Sequence, residues 1–276
     1  MRTQPMTKKA VVPQEEGIRL SKRVMEIAAC SRAQAERYIE GGFVRVGGAV
    51  VELPEHRVRG DKVELDAQAS LLPQPPVTML LHKPSGFEAF EQSSGPRAPS
   101  RVPHAAKLMT AEHHAPHDRS AQRVLRQHFA ALQCVSPLET GASGLVVFTK
   151  DFTIKRKLMD DAARVEHELI VQVNGEVSEQ AIEFLNREQQ VNPRMSVLAR
   201  VSVTHQPEPQ EGQAHQVTTG LRFALKGCVP GLVQHLCERA DLEVMSIKRI
   251  RLGRLSLGGL ALGQWRYLAA SHVERV

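Results

Sequence analysis

The sequence predicts an α+β protein of two unequal domains, and three observations carry that expectation. Two short helical stretches are followed by a glycine-turned hairpin within the first 66 residues. Residues 67 to 76 then contain Pro73, Pro75 and Pro76 and no charge, the composition of a semi-rigid linker. Beyond them, residues 77 to 276 alternate short apolar runs of strand length with stretches of helical spacing. A chain of 276 residues is long enough for each domain to bury its own core. The expected boundaries are a disordered lead-in at 1–16, a small domain at 17–66, the linker at 67–76 and a larger domain from 77 onward.

Composition narrows the function classes. The net charge of +6 favours a polyanionic partner, most simply nucleic acid. With aromatics at only 4%, base-stacking platforms are few. Cys30, Cys134, Cys228 and Cys237 show no zinc-ligand or redox spacing, so reduced thiols and a cytoplasmic location are expected. The first residues lack the apolar core of a signal peptide, and no stretch approaches the ~18 apolar residues of a membrane span.

In the small domain, Ile18, Val24, Met25 and Ile27 share an approximately helical apolar face. Ser31 followed by Gln34 has the form of a capping box for a second helix, and Gly41-Gly42 supplies its stop. Phe43 to Val46, Gly47-Gly48 and Ala49 to Val51 read as a hairpin, with another turn and strand around Val58, Val63 and Leu65. Arg19, Lys22, Arg23, Arg32, Arg37 and Arg45 outnumber Glu26, Glu36 and Glu40 along Ile18–Arg45. The run Arg-Leu-Ser-Lys-Arg followed by Cys-Ser-Arg-Ala-Gln-Ala-Glu-Arg-Tyr-Ile-Glu-Gly-Gly-Phe-Val-Arg-Val-Gly-Gly resembles the RNA-binding module first seen in ribosomal protein S4. That resemblance makes the six basic residues RNA-contact candidates, neutralising phosphates and reading the shape of folded RNA.

In the larger domain, strands are expected at Val77–His82, Leu145–Phe148, Glu168–Asn174, Val197–Val203, Val217–Ala224, Val244–Ile247 and Arg249–Leu257. Helices are expected at Arg123–Leu132, at Lys155–Ala163, through Ala181, Ile182 and Leu185, and through Leu232, Val233 and Leu236. Residues 87–120, rich in Pro, Ser and His and without periodicity, read as a mobile insertion. Within it, Glu112, His113, His114, His117 and Asp118, with His104 nearby, offer ligands for zinc or nickel, although Pro116 breaks helical spacing. The most informative stretch is Val135 to Lys150. There Glu139 stands at the mouth of a turn containing Gly141 and Gly144, directly before the apolar strand. A carboxylate so placed is either structural or a nucleophile or acid/base group.

Three further segments complete a resemblance spanning Ile18 to Leu268. They are His82-Lys83-Pro84-Ser85-Gly86, Ser143 to Asp151, and Ile247 to Leu268 with Leu262-Gly263-Gln264-Trp265-Arg266. Together with the small domain they resemble bacterial ribosomal-RNA pseudouridine synthases of the RsuA and RluF type. The resemblance implies a larger α+β domain with a mainly antiparallel mixed sheet. It also implies an rRNA partner, a monomer, and chemistry on a flipped-out uridine needing neither cofactor nor metal.

It further implies departures at the chemistry. The family aspartate of Gly-Arg-Leu-Asp is Glu139 here, one methylene longer, and its arginine neighbour is Pro137. A displacement of roughly 1 Å at a reacting group can cost ~100-fold. The family tyrosine that packs on the target base is Leu169, without an aromatic face or hydroxyl. The family's distal arginines are missing from Cys228 to Leu236. Lys83, Leu169, Gln234 and His235 are the substrate-pocket candidates, with Glu139 at the catalytic position. The expectation is an rRNA-binding protein of this family with isomerase activity lost or severely weakened. The alternatives are an active synthase using Glu139 and, from the histidine segment, a metal-responsive RNA-binding protein.

Overall fold

The computed structural model describes residues 17–90, 101–193, 195–205 and 217–269. The lead-in expected at 1–16 lies outside the described residues. The chain divides into two compact units between Gln74 and Pro75, with Leu125–Gln127 grouping with the first.

The first unit contains β1 (Ile18–Arg19), α1 (Leu20–Ala28), α2 (Arg32–Glu40), β2 (Val44–Val46), β3 (Ala49–Val50), β4 (Arg57–Val58) and β5 (Val63–Leu65). Ser31 caps α2 as its sequence predicts: its hydroxyl accepts from Gln34 N–H, and the Gln34 side chain accepts from Ser31 N–H. Glycine-turned β2 and β3 pair antiparallel, and β5 flanks β2. Leu20, Val24, Ala35, Ile39, Val44 and Val58 form the core.

The first helix departs from its expected face. Ile18 is extended and pairs with Val58, and both Ile18 (45%) and Ile27 (44%) are exposed. Helix α1 instead buries Leu20, Ser21 and Val24. Its start has no side-chain cap; Leu20 N–H and Ser21 N–H donate to the carbonyls of His56 and Pro54, so a distant loop satisfies the orphan donors and sets the boundary.

The second unit is α+β around a nine-stranded mixed sheet. Its elements are β6 (Thr78–Lys83), α3 (Arg126–Phe129, whose first two residues group with the first unit), β7 (Gln133–Cys134), β8 (Ser143–Thr149), α4 (Phe152–Met159), β9 (Glu166–Asn174), α5 (Glu179–Leu185), β10 (Gln189–Asn192), β11 (Met195–Val197), β12 (Arg200–His205), β13 (Thr218–Lys226), α6 (Leu232–Arg239), β14 (Val244–Leu252), β15 (Leu255–Ser256) and β16 (Trp265–Tyr267). The sheet order is β12-β13-β9-β14-β8-β6-β16, with β15 beside β14 and β7 beside β8; β10 and β11 form a separate ribbon. Among the described strand pairings of this sheet, β8–β14 is the parallel one and the rest are antiparallel. Strand β8 is covered on both faces, Val146 and Phe148 entering one core and Leu145 and Val147 the other, which is why its sequence is an unbroken apolar run.

Several expected elements are corrected. The helix expected over Arg123–Leu132 shrinks to Arg126–Phe129, and the left-handed backbone at Ala131 stops it from running on to Leu132. Val244 to Leu252 is one strand, since Lys248 stays in the ladder opposite Ile170; the chain then turns at Gly253. The Val197–Val203 strand is broken between β11 and β12, which belong to different sheets.

Where a mobile insertion is expected over 87–120, residues 87–90 and 101–120 are packed. Ala105, Met109 and Ala115 are buried. Trp265 Nε1–H donates to the Thr110 carbonyl at 2.7 Å, and Tyr267 N–H donates to Asp118 Oδ2 at 2.9 Å. The segment lacks periodicity because it is held by individual contacts to β16 rather than by one face of a regular element.

Candidate active site

The turn between β7 and β8 carries Glu139 and is clasped from two sides. On one side, Lys83 at the end of β6 is fully buried, and its ammonium donates to the carbonyls of Ala142 (2.6 Å), Phe87 (2.9 Å), Pro84 (3.0 Å) and, more weakly, Thr140 (3.4 Å). Ser85 Oγ donates to the Gly141 carbonyl and Gly86 N–H to that of Thr140. The Lys-Pro-Ser-Gly turn thus grips the Glu139 turn through its backbone.

On the other side, Arg249 of β14 is only 2% exposed. Its guanidinium donates to the carbonyls of Ser136 (2.7 Å), Leu145 (2.8 Å) and Pro137 (2.9 Å). The Ser136 hydroxyl accepts from Val147 N–H at 2.7 Å, fixing the start of the turn to β8. Between the arms of this clamp, Gly144 pairs with Arg249 and has φ +115. A Cβ there would lie 2.2 Å from the Arg249 carbonyl oxygen, so the approach of β8 to β14 requires glycine.

Glu139, on the turn that these two cations hold, is half-buried. Among the described residues it makes no side-chain hydrogen bond or ion pair within 4.0 Å. Its negative charge nevertheless reaches both, favouring the charged forms of Lys83 and Arg249. Burial is the larger effect on each: it lowers Lys83 to about 8, with Arg249 acting in the same direction, and it lowers Arg249. The Cys228 thiol belongs to the same electrostatic neighbourhood, pushed up to about 12 mainly by burial. His167 on β9 is lowered to about 3 by burial and by Arg249, and its Nδ1 is buried without a hydrogen-bond partner among the described residues.

Among the expected site residues, Leu169 lies directly opposite Arg249 in the β9–β14 register and is buried. Lys83 does not present its ammonium to solvent as a pocket-lining cation would; the turn after β6 folds over it, and four carbonyls take up its donors. Gln234 and His235 are on the exposed side of α6, where Gln234 donates to Glu238 along the helix at 3.0 Å. No hydrogen bond or ion pair joins either to Glu139. Arg249, whose contacts define the turn, was not among the expected site residues. The available signal was its place two residues after Ile247 on a strand, which puts the arginine on an inward-facing position.

All six basic candidates of the first unit are exposed. Arg23 pairs with Glu26 at 3.0 Å and Arg32 with Glu36 at 2.8 Å, and Arg45 donates to the Gly48 carbonyl. Arg19, Lys22 and Arg37 have no ion-pair partner among the described residues.

The histidine segment does not converge. His104 bonds the Phe90 carbonyl and Ala106 N–H, His113 bonds Thr110, and His114 bonds Asp118 and packs on Trp265 at 4.6 Å. Among the described residues no group of three or more His, Cys, Asp or Glu is arranged to hold a metal ion. Nor is any described helix long and apolar enough to cross a membrane.

Comparison with known proteins identifies an S4 domain at residues 23–63. The chain is 24% identical to an uncharacterised RNA pseudouridine synthase of Aquifex aeolicus, covering 94% of this chain and 96% of the relative. It is 23% identical to the dual-specificity RNA pseudouridine synthase RluF of Escherichia coli, over 92% of this chain and 76% of the relative. It is 24% identical to the ribosomal large subunit pseudouridine synthase B of Bacillus subtilis, over 94% and 95% respectively. A crystal structure of a pseudouridylate synthase superimposes with a TM-score of 0.54 at 15% identity, covering 94% of this chain and 99% of that one, so the two share a fold.

Proposed function

We propose that this chain, which carries an S4 domain and resembles RluF-type pseudouridine synthases along most of its length, binds ribosomal RNA with its isomerase activity lost or severely weakened. The observation that carries the proposal is the state of Glu139. By resemblance its carboxylate stands where the family aspartate does, yet among the described residues no hydrogen bond or ion pair orients it. The neighbouring buried cations donate to backbone carbonyls instead. Precise orientation is what makes a carboxylate an efficient nucleophile or base, and here it is left to a longer, unpinned side chain. Leu169 opposite Arg249 supplies apolar packing but no aromatic face.

A second reading, an active synthase using Glu139, is favoured by one observation. The turn that presents the carboxylate is itself held firmly, and two cations lie close enough to feel its charge. Mapping pseudouridine in rRNA from cells with and without the gene decides between them. The proposal expects identical maps; a uridine converted only when the protein is present, and left unconverted by Glu139→Ala, establishes the active reading.

A further inference from the structure

The end of the second unit's sheet holds a cavity of about 660 Å³, bordered by the end of α4, the short turn Ala162–Arg164, the end of β13 and the turn after β14. It lies apart from the Glu139 turn, and five of its lining residues are cationic: Lys157, Arg164, Lys226, Arg251 and Arg254. Its two acids are already engaged. Glu166 pairs with Arg251, which Glu168 also holds, and Asp161 lies 4.0 Å from Arg164. Lys157, Lys226 and Arg254 have no ion-pair partner among the described residues. Three uncompensated cations therefore surround one concavity whose fixed wall includes a doubly paired arginine.

We propose that this cavity binds RNA backbone phosphates, as a point of attachment in addition to the S4 domain. Like charges held around a cavity repel one another, and an anion entering it relieves that repulsion. The volume is within the range of ligand sites and exceeds what a lone phosphate needs, which suits a stretch of backbone. The remaining lining is aliphatic, from Leu158, Val165 and Leu252, with no aromatic ring to stack a base. The site therefore grips the polyanion without reading its sequence.

This inference rests on the RNA-binding reading above, and the test separates the two. Binding of an rRNA stem-loop to the full chain is measured across a salt series, for wild type and for Lys157→Ala/Lys226→Ala/Arg254→Ala. Each lost phosphate contact removes about 0.7–0.9 from the slope of log affinity against log salt. The triple variant should lower the slope by about 2 and weaken binding about tenfold or more at moderate salt. The charge-keeping variant Lys157→Arg/Lys226→Arg/Arg254→Lys should keep the wild-type slope, which separates a charge effect from a folding defect. An unchanged slope in the alanine variant overturns the cavity while leaving RNA binding by the first unit intact. Wild type that binds no RNA overturns both readings. In a further arm, inorganic pyrophosphate should compete with RNA for wild type more strongly than for the alanine variant. Pyrophosphate held by the cavity with the RNA slope unaffected would make it a small-anion site and overturn the proposal.

Discussion

Gly144 is a point where one hydrogen atom decides a strand pairing. A methyl group there would stand 2.2 Å from the carbonyl oxygen of Arg249, on a backbone at φ +115. Gly144→Ala is expected to destabilise the second unit by about 3 kcal/mol or more, measured by urea unfolding. His167 gives the second prediction at this scale. Its folded pKa, about 3, lies below the unfolded value of about 6.5, so the unfolded chain takes up a proton that the folded chain refuses. The stability this group contributes is complete above about pH 6.5 and is lost as pH falls through the window toward 3. Between pH 7 and pH 5 the loss should be about 2 kcal/mol, and His167→Leu should flatten that slope in unfolding curves. Glu139 could be singled out because Gly141, Gly144 and the apolar strand beside it stand within a few residues of it in the chain. The carbonyls that take up Lys83 and Arg249 could not be named in advance, because they come from turns distant in the chain, although the alternation after Ile247 already pointed Arg249 inward.

Capping makes elements legible, and tertiary rescue hides them. Helix α2 has both of its expected end signals, and its capping box contains two reciprocal bonds. Ser31→Ala should cost about 1 kcal/mol of first-unit stability by thermal unfolding. Arg32→Ala, which removes an exposed pair with Glu36, should cost less than about 0.5 kcal/mol. Helix α1 offers no such signal, since the carbonyls that satisfy its first donors come from His56 and Pro54, more than 30 residues away in the chain. The packed segment 101–120 was hidden for the same reason: its anchors, Trp265 and Tyr267, lie in the last strand.

For the whole molecule, partnered and unpartnered cations divide the expected RNA contacts. Arg19, Lys22 and Arg37 are free to meet phosphates, whereas Arg23 and Arg32 must first leave Glu26 and Glu36. Replacing Arg19, Lys22 and Arg37 together with alanine should weaken RNA binding and lower its salt slope by about 2–3. The corresponding change for Arg23 and Arg32 should be smaller. Filter binding over a salt series compares the two sets, and equal slopes would mean that ion pairing does not govern these contacts.

The sequence by itself determined the two-part α+β organisation, the capped second helix, the glycine hairpin and the buried strand before Lys150. It also placed a carboxylate, Glu139, ahead of that strand. These are local properties, fixed by periodicity, caps and turns within a few residues. Only the tertiary structure decided that β8 runs parallel beside β14, and that Lys83 and Arg249 close on the Glu139 turn from opposite sides. It also decided that the cations around the end of β14 share one cavity. Each of these depends on strands brought together across a hundred residues or so, whose partners no local pattern encodes.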